Sequence, residues 1–175
     1  MGKALWWTVQ GVEDTDRDND ETANSVVNAL SHAIAINPQG YQAFHLVVKF
    51  GGRFTKEDQG SVDFIKKVFG QTFVRKFCIL VLPYGDQFEA QVKVNFQDWI
   101  QSQKGVLSDL VKECNNRVIL FDNQTTDRHK RQRQVSELIE IVDSLKQENS
   151  RYTNDQFDLA KTGGESLELT SKTPL

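Results

Sequence analysis

Residues 40–70 read GYQAFHLVVKFGGRFTKEDQGSVDFIKKVFG, and this stretch decides the fold. Ala43 to Phe50 is a short apolar run of the kind that forms a buried strand. Gly51-Gly52 breaks it. Thr55 is followed three residues later by Asp58, a capping-box pattern that starts a helix. Val62, Ile65, Val68 and Phe69 have the spacing of one buried helical stripe, and Gly70 ends it.

The same alternation extends on both sides. Upstream, residues 4–10 (ALWWTVQ) are apolar and aromatic enough for a short strand, and Gly11 to Asn19 is an acidic loop. From Asp20, the positions Ala23, Val26, Val27, Leu30, Ala33 and Ile34 predict a helix. Asp18, Asp20 and Glu21 sit where its dipole favours negative charge, and Asn37-Pro38-Gln39-Gly40 terminates it. Downstream, Phe77 to Leu82 is a continuous apolar run, as in a strand covered on both faces. Helical segments follow over 96–102 and 106–114, then a short strand from Val118 to Phe121. A last helix starts near Asp127 and places Val135, Leu138, Ile139, Val142 and Leu145 on one face. The periodicity stops near Ser150, so residues 1–150 are read as the domain and 151–175 as a disordered polar tail.

Strands alternating with helices imply an α/β fold, with a mostly parallel sheet between two helical layers. Ligands of such sheets bind at the carboxyl ends of the strands. That places any site in 11–19, 50–55, 83–91 and 122–127.

Composition narrows the function classes. The chain has 175 residues, 38% hydrophobic and 26% charged, which suits one soluble domain. A net charge of -3 argues against nucleic acid as a partner. Cys78 and Cys114 have neither C-x-x-C spacing nor a nearby histidine, so neither a disulfide framework nor a zinc site is expected. No run of 18 apolar residues occurs, and neither a signal peptide nor a lipidation pattern is recognisable, which predicts a cytoplasmic chain without a membrane anchor.

The 40–70 segment resembles the stretch distinctive of the immunity-associated protein GTPases (IMAP/IAN family, AIG-type G domain). The matching residues are Gly40, Val47-Val48, Gly52-Arg53-Phe54-Thr55, Glu57-Asp58 and Val68-Phe69-Gly70. The resemblance implies a three-layer Rossmann-like P-loop NTPase fold that binds GTP or GDP and self-associates, or pairs with paralogous G domains. It also implies a guanine-reading loop at Leu82-Pro83-Tyr84-Gly85-Asp86. Asp86 is the expected reader, because a carboxylate accepts the guanine ring N–H and exocyclic amine that adenine lacks. Pro83 stands where the family usually has Thr, and Tyr84 is placed to pack on the base. Arg117 to Asn123 (RVILFDN) resembles the strand that ends in the family's base-contacting Asn, which makes Asn123 the candidate and puts Asp122 in place of the preceding Asn.

Other motifs of the family are not found. No G-x-x-x-x-G-K-[ST] occurs, so the loop whose backbone cradles phosphates is expected to be missing, together with the first strand. Thr8 stands where the resemblance puts the magnesium-binding switch Asp, while Gly11 remains as a switch remnant. The Mg2+ site is therefore not expected to be retained. Without a central first strand, the strands flanking it are left with unpaired edges or must pair with each other.

Three other features point elsewhere. Asp14, Asp16 and Asp18 open with EF-hand spacing, but Asn19 and Ser25 hold the Gly and Glu positions that calcium needs. Arg128, His129, Lys130, Arg131 and Arg133 form a basic cluster, read as a solvated helix end or a contact for phosphate or an acidic partner. No nucleophile–histidine pair has supporting spacing, so no catalytic residue is named. The expectation is a guanine-nucleotide-binding protein impaired in binding and hydrolysis; the alternative is a non-catalytic pseudo-GTPase module that pairs with full-length relatives.

Overall fold

The computed structural model describes residues 5–8, 36–52 and 54–153. The helix expected over 20–34, the acidic loop 11–19, Gly11, Arg53 and the tail beyond 153 lie outside the described residues. Among the described residues four strands form one sheet in the order β1 (Leu5–Thr8), β2 (Phe44–Val47), β3 (Cys78–Pro83), β4 (Val118–Phe121). Every neighbouring pair is parallel, with Leu5 opposite Phe44, Phe44 opposite Cys78, and Leu80 opposite Val118. β1 thus pairs directly with β2.

The helices are α1 (Lys56–Phe69), α2 (Phe73–Phe77), α3 (Gly85–Gln91), α4 (Phe96–Ser102), α5 (Val106–Glu113) and α6 (Arg128–Glu148). Period-two alternation along the strands splits the core into two layers. Phe44, Leu46, Cys78, Leu80, Leu82 and Val118 face α1, α2, α4 and α5. Ala43, Ile79, Val81 and Ile119 face the other way, against Leu138, Ile141, Val142 and Leu145 of α6. Both cysteines are buried free thiols, and burial pushes Cys114 up to about 12.

The capping box forms as the sequence predicts. Asp58 N–H donates to Thr55 Oγ1 at 3.3 Å, and Thr55 N–H donates to Asp58 Oδ2 at 2.7 Å. Gly70 closes α1 through its N–H to Lys66 O at 2.9 Å.

Four expectations need correction. Val68 is 37% exposed, so the α1 stripe is Val62, Ile65 and Phe69. On α6, Val135 and Ile139 are 48% and 52% exposed, and the packed face turns instead through Leu138, Ile141, Val142 and Leu145. Phe77 ends the short α2 rather than starting β3. The loop read over Leu82–Asp86 gives way at Gly85 to a helix, α3.

Tyr152 lies just past the boundary drawn at Ser150, yet it belongs to the core. It exchanges backbone hydrogen bonds with Tyr41 at 3.2 and 2.8 Å, and its ring lies 5.0–5.7 Å from those of Phe44, Phe69, Phe73 and Phe77. Gly40 permits this crossing, since a Cβ there would lie 2.3 Å from Tyr152 O. Arg117 is buried too. Its Nε donates to Cys78 O at 3.0 Å and its guanidinium donates to Val74 O and Arg75 O, satisfying carbonyls at the end of α2.

Candidate functional site

The carboxyl ends of β2, β3 and β4 lead into Val48–Gly52, Tyr84–Asp86 and Asp122–Asp127. Because Pro83 is in register with Phe121, the loops after β3 and β4 leave the sheet side by side. Their contact is tight. Gly85 is buried, and a Cβ on it would lie 3.0 Å from both the amide nitrogen and Cβ of Asp122.

Tyr84 takes a left-handed conformation, φ 68°, at the start of α3. A non-glycine residue there costs about 1 kcal/mol or more, a form of strain that clusters at functional sites. Lys49 Nζ lies 5.1 Å from the centroid of its ring, bringing a cation from the loop after β2 to the loop after β3. Asp86 falls in the first turn of α3, and its Oδ1 is buried with no hydrogen-bond partner among the described residues. Asn123 is exposed at the tip of the β4–α6 loop.

Below these residues, Phe50, Phe88 and Trp99 pack edge to face at 5.2–5.4 Å, and Phe96 joins through Phe88 at 5.6 Å. Phe88 is the apolar anchor of the seven-residue α3, which has no side-chain N-cap. So short a helix is marginal by itself and is held here by packing. The apolar spacing of Phe96 and Trp99 was a readable signal for part of this cluster; the role of Phe88 was not.

Asp122 is 6% exposed and fully engaged. Its Oδ1 accepts the N–H groups of Gln124 and Thr125, both at 2.9 Å, and its Oδ2 accepts Lys130 Nζ at 2.8 Å. The Lys130 hydrogen bond, outweighing burial and aided by the two backbone donors, holds the carboxyl below the usual range. Lys130 also reaches Glu89 Oε1 at 2.7 Å. Burial alone would lower the Lys130 pKa, but its bonds to Asp122 and Glu89 raise it overall. Sequence reasoning placed Lys130 in a generic basic cluster and missed this link.

In parallel α/β sheets ligands bind at the carboxyl ends of the strands, which is where these polar loops converge. The AIG1 family model matches residues 11–171, and the chain belongs to that family, the IMAP/IAN proteins with an AIG-type G domain. It is similar to three proteins of Arabidopsis thaliana. These are immune-associated nucleotide-binding protein 10 (27% identical, over 77% of this chain and 28% of that one), protein 2 (25%, over 84% and 61%) and protein 5 (25%, over 94% and 56%). The chain therefore spans 28–61% of the length of these relatives. Among the described residues no helix is long and apolar enough to cross a membrane.

Proposed function

We propose that this chain binds guanine nucleotides through the base. Asp86 reads the ring, with Tyr84, Gly85 and Asn123 framing it. The observation that carries this is the buried, unpartnered Asp86 Oδ1. Such an atom costs about 1–3 kcal/mol unless a donor reaches it. Guanine brings two adjacent donors, its ring N–H and its amine; adenine presents an acceptor in place of the first and lacks the second. The names of the relatives, nucleotide-binding proteins, support the same reading.

The phosphate side fits less well. The 175 residues contain no match to the phosphate-loop pattern, and Thr8 offers no carboxylate for magnesium. GTP affinity of these residues is thus proposed to be weak or absent, and magnesium-dependent hydrolysis absent. Calorimetry with GTP, GDP and ADP tests both halves. Micromolar GTP binding would overturn the impairment, and equal binding of GDP and ADP would overturn the base reading.

The second reading is a cytoplasmic, non-catalytic module that pairs with a full-length family member. It is favoured by Val135 and Ile139, which stand exposed four residues apart on α6. Size-exclusion chromatography and pull-down against an intact relative test it: pairing without nucleotide binding supports this reading, and nucleotide binding without pairing rejects it.

A further inference from the structure

We infer that Lys130 is a positioning residue that holds the two base-side loops in register, an inference that rests on the guanine reading above. One ammonium group joins two elements. Its Nζ lies 2.8 Å from Asp122 Oδ2, in the loop after β4, and 2.7 Å from Glu89 Oε1, on α3. Glu89 stands three residues after Asp86, so it shares a helical face with the base reader. The other partner, Asp122, immediately precedes Asn123.

The loop after β4 has further anchors. Gln134 Oε1 accepts the Asp122 N–H at 2.6 Å, and Gln134 Nε2 donates to Asp122 O at 3.4 Å. With Gln124 and Thr125 donating to Oδ1, both carboxylate oxygens of Asp122 are occupied within the protein. Asp122 therefore shapes the turn and leaves base contact to Asn123. The link from this rigid turn to α3 runs through the Gly85 contact and through Lys130. The Gly85 contact sets how closely the loops approach. The Lys130–Glu89 bond sets how α3, and Asp86 with it, is rotated against them. The Asp122 arm is shielded, with side-chain exposures of 23% and 6%, whereas the Glu89 side chain is 58% exposed and its arm is screened like a surface ion pair.

The test uses the full chain with K130M, K130R and E89Q. E89Q removes the charge from the α3 arm, leaving a neutral acceptor for Lys130, and keeps Asp122 paired, so its melting temperature separates an effect on positioning from one on fold. The GDP-over-ADP preference, read by titrating 15N-labelled protein, is expected to fall about fivefold or more in K130M, to fall less in E89Q with an unchanged melting temperature, and to recover in K130R. Wild-type preference in both K130M and E89Q would overturn the inference. If the wild-type chain does not prefer GDP, the guanine reading fails on its own, and the positioning role is then judged without ligand. Amide shifts of Asp86 and Asn123 that move in both K130M and E89Q support it, and unmoved shifts reject it.

Discussion

Gly85 and Asp122 pack so closely that a Cβ on Gly85 would lie 3.0 Å from the Asp122 amide nitrogen, inside ordinary van der Waals contact. That contact joins the loop after β3 to the loop after β4. Gly85→Ala must push the two apart. The expected cost is about 1–3 kcal/mol of stability, typical of overpacking, with loss of any guanine preference. Urea unfolding followed by GDP titration checks both.

Asp86→Asn is expected to separate function from stability. The buried Oδ1 has no partner among the described residues, so the fold loses little and stands to gain. Guanine selectivity should disappear while the melting temperature stays level or rises. A clear fall in melting temperature would show that the carboxylate has a structural partner.

His45 ties stability to acid. It is 1% exposed on β2, and burial lowers its pKa from 6.5 to about 4. Below pH 6.5 the unfolded chain takes up a proton that the folded chain refuses until about pH 4. The stability present above pH 6.5 is therefore lost as pH falls through this window, by on the order of 3 kcal/mol. Chemical denaturation across the window should show this slope, and His45→Gln should flatten it.

Tyr152→Ala should destabilise by about 3–5 kcal/mol, as expected for a buried aromatic side chain. Its ring contacts four phenylalanines, and its backbone pairs with Tyr41. Urea denaturation reads the loss directly. A change below 1 kcal/mol, on the scale of a surface substitution, would place Tyr152 outside the cooperative unit.

Thr55→Ala removes one half of the α1 capping box. A loss of about 1 kcal/mol is expected, and Thr55→Ser should recover most of it. Thermal unfolding of the two variants makes the comparison.

Much of this structure was legible in local pattern. β4, α4 and the Thr55 start of α1 fall where apolar spacing and capping chemistry put them. The misses share a cause. Val68, Val135 and Ile139 satisfy helical spacing, but which arc of a helix faces the sheet depends on what packs against it. α3 contains Gly85, follows Pro83 and has no capping side chain, so its sequence resembles a loop until Phe88 finds Phe50 and Trp99. Tyr152 stands in a polar stretch and shows its role only against rings distant in sequence.

The proposed base-reading loop shows the division most clearly. Tyr84, Gly85, Asp86 and Asn123 were nominated through resemblance to the family's motifs, which are short local strings of residues. The sequence also supplied the parallel α/β class, because alternating periodicities permit few other arrangements. Only the tertiary structure decided that Gly85 packs tightly against Asp122, that Asp86 Oδ1 is buried and unpartnered among the described residues, and that Lys130 spans Asp122 and Glu89. Those facts depend on distances between residues far apart in the chain, which the packing of α3 and α6 on the sheet fixes and no local pattern encodes.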